Sequence, residues 1–382
     1  LNGNNLANQV LSNAILLEGD KLEVTCGYLA IRGGVIEEIG EGVPPKRAKD
    51  LKRAFVLPPF VNAHTHIADS VAKDIYLGKA QPQVVGPKGI KFKELLSRTE
   101  EEITASVRAT LKDMLKTGTL AHCDFREGGL SGVKLLRRAS DSPVSSIILG
   151  RPTPAAELDA ILKASDGIGL PSLEDFDPAA LKRTARKVLT AKKILAIHVA
   201  ETADAQRASI NATGKSEIKR ALELNPSFVV HGTWAPGEDL DILCRADVHI
   251  VFCARANSLL GVGMPPIHLA LAKGVKFCLG TDNVTVCQPN MFEELAFVWA
   301  CLRRASSDVG SEAARELLRA ATVGPMRLFD LPWGPIKEGN PATFMVLARR
   351  QNLVNLTDVH AGLVNRARSD NIGAIYLNGK II

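Results

Sequence analysis

The feature that most constrains this chain is a rhythm. Between about residues 58 and 330, eight short apolar runs alternate with segments of helical periodicity. The runs are FVNAHTH (60–66), TLAHCDF (119–125), VSSIILG (144–150), DGIGL (166–170), ILAIHVA (194–200), SFVVHG (227–232), VHIVFCA (248–254) and VKFCLGTD (275–282). Their apolar character is mostly continuous, which marks strands buried on both faces of a parallel sheet covered by helices. Eight such units in a span of about 250 residues predict an α/β fold, a (β/α)8 TIM-type barrel. A doubly wound open sheet is the alternative, weakened because no Gly-rich phosphate turn follows the first run. Helix signals fall between the runs. Thr99 with Glu102 forms a capping box, and Ile103, Val107, Leu111, Met114 and Leu115 keep helical spacing until Gly118. Asp177 followed by Pro178 opens another helix.

The two ends of the chain read differently. AILLEG, TCGYLAIRGG and VIEEIGEG near the start, and PATFMVLARR and AIYLNGKII near the finish, are short β-type runs punctuated by Gly, charges and one Asn-Gly turn. The chain is therefore expected to divide into an N-terminal β segment (1–57), the barrel (58–334) and a C-terminal β segment (335–382).

With 46% hydrophobic and 23% charged residues among 382, a large core is available without disulfides. The net charge of +6 is spread out, and its densest cluster, RAKDLKR (47–53), reads as solvated surface. With three Tyr and three Trp and no aromatic–basic motif, a nucleic-acid partner is not expected. The seven cysteines form no C-x-x-C pair, so reduced thiols, a cytoplasmic setting and no cysteine-based zinc site are expected. LNGNNLANQV has neither the basic flank nor the apolar stretch of a signal peptide, and no run is long enough to span a membrane.

The chemistry gathers at the carboxyl ends of the runs. Side chains alternate along a strand, so His64 and His66 aim at one point while Thr65 turns away. His198, with Glu201 three residues on, follows the fifth run, His231 ends the sixth and Asp282 the eighth. Each has an ordinary reading. His198 and His231 can be satisfied core histidines, Asp282 a cap and Glu201 a solvated acid. In a barrel, however, all six share one mouth, where catalytic residues are found. Arg126, Glu127 and Arg151 follow the second and third runs and either grip a polar substrate or form surface ion pairs. His249 (the wrong end of its strand), His268 and His360 read as structural, and His122 as either mouth-facing or packed.

LPPFVNAHTHIAD, IHVAET, VVHGTW and LGTDN, in that order, together with the tail WGPIKEGNPATFMVL and AIYLNGKII, resemble the amidohydrolase superfamily. The branch is that of cytosine, guanine and adenosine-type deaminases and triazine chlorohydrolases. The resemblance implies a small β-sandwich domain built from both chain termini beside the barrel. It implies one divalent metal ion, zinc with iron as the alternative, on His64, His66, His198 and Asp282. Glu201 would then shuttle protons, His231 would hydrogen-bond water or substrate, and Asp282 would take the proton of the attacking water. DGIGL lacks the lysine that bridges two metals in binuclear relatives, since Lys163 precedes it. One departure concerns substrate. Where the family has C-P-x-S-N, this chain has CARAN, so Cys253 and Asn257 match but Ala254 and Ala256 do not. Asn257 is placed near the substrate.

The implied activity is hydrolytic release of ammonia from a small amino-substituted N-heterocycle of purine, pyrimidine or pterin type, by attack of metal-bound hydroxide. The H-x-E and P-C-x-x-C signature of cytidine-deaminase zinc sites is absent. Two alternatives use the same site: hydrolysis of a cyclic amide, and chloride displacement. A third is an inactive barrel acting as an interaction protein. Homo-oligomerisation is left open. Segment 67–89 is expected to cover part of the mouth.

Overall fold

The computed structural model describes all residues except 1–7, 45–46, 87 and 153–156. Strands β1 (Gln9–Glu18), β2 (Glu23–Arg32), β3 (Val35–Glu41) and β4 (Lys49–Leu57) come first. After β5 (Phe60–His66), a 3-10 turn at Ile67–Val71 and helices α1 (Gln81–Val84), α2 (Ile90–Ser97) and α3 (Glu100–Lys116) lead to β6 (Thr119–Arg126). Next come α4 (Gly129–Ala139), β7 (Ser145–Gly150), α5 (Leu158–Ala164), β8 (Gly167–Leu170), α6 (Pro178–Thr190) and β9 (Ile194–Val199). They are followed by α7 (Ala203–Thr213), α8 (Glu217–Leu222), β10 (Phe228–His231), α9 (Gly237–Ala246) and β11 (His249–Phe252). Then come α10 (Ala254–Leu259), α11 (Ile267–Lys273), β12 (Phe277–Leu279), β13 (Asp282–Asn283) and α12 (Met291–Ala305). The chain finishes with α13 (Ser311–Ala321), α14 (Val323–Leu328), β14 (Phe344–Leu347), α15 (Val359–Arg366), β15 (Ile372–Leu377) and β16 (Lys380–Ile381).

Two compact units result. One draws on Leu1–Val61, Lys116–Leu120 and Trp299–Ile382, the other on Asn62–Leu115 and Ala121–Val298. The first holds a seven-stranded sheet of order β16-β15-β14-β4-β1-β2-β3, so both chain ends contribute to one sheet. The joint is the antiparallel pairing of β14 with β4, Val346 opposite Val56. Alternation puts Leu16, Leu29, Ile31, Val56 and Phe344 into one apolar cluster. The rings of Phe344 and Tyr376 stack there at 4.6 Å. Asn378 and Gly379 turn the last hairpin with φ of 50° and 78°, the left-handed pair that an Asn-Gly hairpin turn requires. The basic cluster at 47–53 enters the exposed half of β4, whose last four residues are buried.

The second unit carries a curled nine-stranded sheet of order β12-β11-β10-β9-β8-β7-β6-β5-β13. Its register is parallel, for example Val230 beside His198 and Asp282 beside Thr65. β5 and β6 are buried along their whole length, as their continuous apolar runs require. The eighth run is interrupted. β12 pairs with β11, whereas β13, only two residues later, pairs with β5 at the other end of the strand order. Gly280 permits that passage, because a Cβ there would lie 2.7 Å from the Cβ of His64. The expected helix signals are present. Thr99 Oγ1 accepts from the Glu102 amide at 3.2 Å while Glu102 Oε2 accepts from the Thr99 amide at 2.8 Å. Asp177 accepts from the amides of Ala179 and Ala180. No helix among the described residues is long and apolar enough to cross a membrane.

Candidate metal centre and cavity

The parallel register brings the carboxyl ends of β5, β9, β10 and β13 to one place. The His64 ring lies 5.0 Å from that of His66, 4.9 Å from His198 and 5.6 Å from His231, centroid to centroid. Asp282 Oδ1 stands 3.2 Å from His64 Nε2 and 3.5 Å from His66 Nε2. Two triads, His64/His198/His231 and His64/His66/Asp282, each have potential ligand atoms within 4.8 Å of one another. Thr65 turns away as alternation requires, sharing a hydrogen bond with His122 Nδ1 at 2.9 Å and donating to Asp124 Oδ2 at 3.1 Å. Backbone strain collects at the same ends. Ala200, His231 and Asp282 have φ of 48°, 74° and 59°, values that cost non-glycine residues energy and cluster at functional sites.

The donor set suits a cation. Both ring nitrogens of His64 are buried, Nδ1 with no hydrogen-bond partner and Nε2 with only the Asp282 carboxylate beside it, a state a native core tolerates only where something else satisfies them. Burial pushes His64 down to about 3 and His198 well below the usual imidazole range, so both rings present lone pairs. His198 Nδ1 donates to Leu170 O at 2.8 Å, which leaves the Nε2 lone pair free to bind a metal. For Asp282, burial alone would raise the pKa. The facing His64, with His231 and His66, outweighs it and holds the carboxyl well below the ordinary range. Neutral imidazoles around one carboxylate are the ligands divalent zinc takes.

Glu201, just beyond β9, places Oε2 3.8 Å from His231 Nε2, and its Oε1 accepts from Gln81 Nε2 at 2.8 Å. The preceding residue is pinned, because the Ala200 amide donates to Glu217 Oε2 at 2.6 Å. His231 Nδ1 shares a hydrogen bond with Asn257 Oδ1 at 3.1 Å, and Asn257 donates its amide to Thr233 Oγ1. Asn257 therefore stands behind His231 and does not line the cavity.

A cavity of about 1220 Å³ opens over this cluster, with His66, His198, His231, Asp282 and Glu201 exposed to it. Gln81, Pro82, Val85 and Gly86 line it, so the segment expected over the mouth does stand there, with Pro87 outside the described residues, and Lys91 lines it as well. Arg151 lines the cavity with its Cζ 6.0 Å from the Phe92 ring. Arg126 and Glu127 do not line it. Arg126 is buried and donates Nε to Gly132 O at 3.2 Å. Glu127 Oε1 sits 2.7 Å from His66 Nδ1 and 2.6 Å from Lys91 Nζ. Burial would raise the Glu127 carboxyl, but Lys91, His66 and Arg151 together hold it well below the usual range.

Sequence reasoning missed Lys91, Gln81 and the whole of α2. Neither side chain falls in a motif, and the α2 stretch follows a Gly/Pro-rich loop that masks it. Of the remaining histidines, His122 is bound to Thr65 and Ser146, and His249 begins β11. His268 lies in α11. His360 lies in helix α15 and shares a hydrogen bond with Leu22 O.

A parallel curled sheet with imidazoles and carboxylates at its carboxyl ends, under a deep cavity, defines the class of metal-dependent hydrolases built on such sheets. The model of the amidohydrolase family matches residues 55–382. A protein of Methanothermobacter thermautotrophicus described as a putative aminohydrolase is 32% identical, with 98% of each chain covered. A 5-methylthioadenosine/S-adenosylhomocysteine deaminase of Pyrococcus furiosus is 25% identical over 98% of this chain and 94% of its own. The crystal structure of an adenosine deaminase from Xanthomonas campestris with bound zinc superposes with a TM-score of 0.82 at 18% identity, covering 98% and 92%. The chain belongs to the amidohydrolase family and is a hydrolytic enzyme acting on C–N bonds.

Proposed function

We propose that this chain is a hydrolytic deaminase that replaces the amino group of a purine-, pyrimidine- or pterin-type heterocycle with oxygen and releases ammonia. The observation that carries the reading is His64, buried between three other imidazoles and the Asp282 carboxylate with its Nδ1 unpartnered. The relatives' deaminase names support it. We assign one divalent ion to His64, His66, His198 and Asp282, and we take it to be zinc because the adenosine deaminase with the same fold holds zinc. When bound, such an ion acts as a Lewis acid and lowers the pKa of water from 15.7 to about 7.

The protein's own groups do the rest. Asp282, held anionic, accepts the proton of the attacking water. Glu201, partly open to the cavity and beside His231, donates a proton to the ring nitrogen of the C=N unit. Glu201 regains a proton from the added hydroxyl as the C=O forms, and the proton held by Asp282 goes to the departing amine, so that water and the amino heterocycle become the oxo heterocycle and ammonia. His231, oriented through Asn257, faces the reacting centre and hydrogen-bonds the attacking water or the substrate there. Arg151 and Phe92 offer a cation and a flat apolar face to the heterocycle. We read Arg126 and Glu127 as support for the wall and for His66.

The same reading takes the curled sheet as a closed (β/α)8 barrel over 58–334. It takes the terminal sheet as the family's small β-sandwich domain over 1–57 and 335–382. It places the protein in the cytoplasm, consistent with its seven free cysteines. The test is ammonia release from a panel of purines, pyrimidines and pterins by protein loaded with zinc and, separately, with iron. Release from at least one member by the wild type, lost in H64A, is expected. Hydrolysis without ammonia across the panel would end the deaminase reading.

A further inference from the structure

Helix α10 begins immediately after β11 and carries Asn257, the residue that touches His231. A helix start leaves several backbone N–H groups without partners, and a side chain at the N-cap usually takes one. Here the N-cap is Cys253, which makes no such bond. The first two amides are taken instead by a residue 40 positions away in sequence. Glu294 Oε1 accepts from Ala254 N at 2.9 Å and from Arg255 N at 3.3 Å. Glu294 is fully buried in α12. The Asn257 amide in turn donates to Cys253 O at 3.0 Å, so the position of Asn257 follows from that of the turn. With its NH2 on Thr233, Asn257 directs Oδ1 at His231 Nδ1. An oxygen there selects the tautomer with its proton on Nδ1 and leaves the Nε2 lone pair facing Glu201, 3.8 Å away. The chain of contacts is continuous from Glu294 to the residue we place against the substrate.

We propose that Glu294 is a positioning residue. Its carboxyl oxygen clamps the start of α10, and through Asn257 it fixes the tautomer and orientation of His231. That His231 serves catalysis rests on the function proposed above. The clamp itself does not.

The test uses full-length, zinc-loaded protein with 15N-labelled histidine. Its long-range 1H–15N spectrum reports the tautomer of each ring, and the His231 signals are identified by their loss in H231Q. In the wild type His231 is expected as the Nδ1–H tautomer. In E294A and in N257A it should become a mixture, with zinc still bound at one per chain, and the double variant should look like N257A alone. Should E294A fail to fold, E294D, whose carboxylate is withdrawn by one methylene, should give the same mixing to a smaller degree. A His231 signal in E294A, or in E294D if E294A does not fold, that matches the wild type while N257A mixes would overturn the proposal. With an active substrate in hand, kcat should fall about 10–100-fold in E294A, the usual cost of losing a group that orients an active-site histidine. Failure to find any substrate would count against the deaminase reading and leave the spectral result standing.

Discussion

The two sheets of this protein handle buried polarity in opposite ways. Among the described residues, the buried polar side chains of the unit with the terminal sheet are Thr119, Thr322, Thr343 and Asn371 beside the aromatic Tyr28, Trp333 and Tyr376, none of which carries a charge at neutral pH. Every buried His, Asp, Glu, Lys and Arg belongs to the other unit, from His64 through Lys91, Glu127 and His198 to Glu294. Burying such groups costs stability unless each is paired, so a fold gains little by accumulating them. Their concentration around one set of strand ends, beside the strained backbone of Ala200, His231 and Asp282, marks where the molecule gives up stability for chemistry. One sheet holds the chain together by alternating apolar faces. The other supplies a rigid frame for groups that would otherwise destabilise it.

The largest effect that tests this division is expected for His64→Ala. Bound zinc, measured by mass spectrometry of the dialysed protein, should fall from one per chain to none, and hydrolysis to background, with the far-UV circular dichroism retained. Full zinc content in this variant would break the comparison. Next comes Glu201→Gln, which should keep its zinc and lower kcat by about 10²–10⁴-fold, the range for loss of a general acid–base group. Unchanged turnover would remove Glu201 from the mechanism.

The terminal sheet should respond in the other currency. Phe344→Ala removes a fully buried ring from the apolar cluster and should lower unfolding stability by about 3–5 kcal/mol in urea titrations, with zinc stoichiometry untouched. Loss of zinc before unfolding would show that the two regions are less separate in function than their burial implies.

The smallest effect concerns pH. Burial holds both His64 and His122 at about 3, whereas an imidazole in the unfolded chain titrates near 6.5. Between those values the unfolded chain binds more protons than the folded one. The stabilising contribution is therefore complete above about pH 6.5 and is lost as the pH falls toward 3. The metal-free protein should lose about 2 kcal/mol per histidine by pH 5, read from urea midpoints. His122→Gln should remove its own share of that slope, about a third of what His64, His122 and His198 contribute together. A midpoint that rises on acidification would contradict the assignment of these rings as buried and neutral.

The same contrast explains what could be read from the sequence. Strands buried on both faces announce themselves as unbroken apolar runs, so all eight were visible. The H-x-H at the end of β5 was informative because strand alternation fixes which way both rings point. The Asn-Gly turn before β16 was legible for an equally local reason. Properties set by tertiary packing were not legible. Glu294 sits in MFEEL, where an acid in the first turn of a helix reads as solvated, yet it is fully buried. Lys91 looks like an ordinary surface lysine in KFKELL, and only the fold places it between Asp69 and Glu127. Arg126 and Glu127 were expected at the mouth, and their bonds turn them into the wall. The eighth run read as one strand, because nothing local reveals that Gly280 lets it leave one partner and join another.

The central claim is that His64, His66, His198 and Asp282 share one cation. Zinc K-edge X-ray absorption on protein reconstituted with one equivalent of zinc tests it most directly. A single site is expected, with nitrogen and oxygen neighbours at about 2.0–2.2 Å and the scattering pattern of several imidazoles. A sulfur shell near 2.3 Å, or zinc that stays in solution, would contradict it.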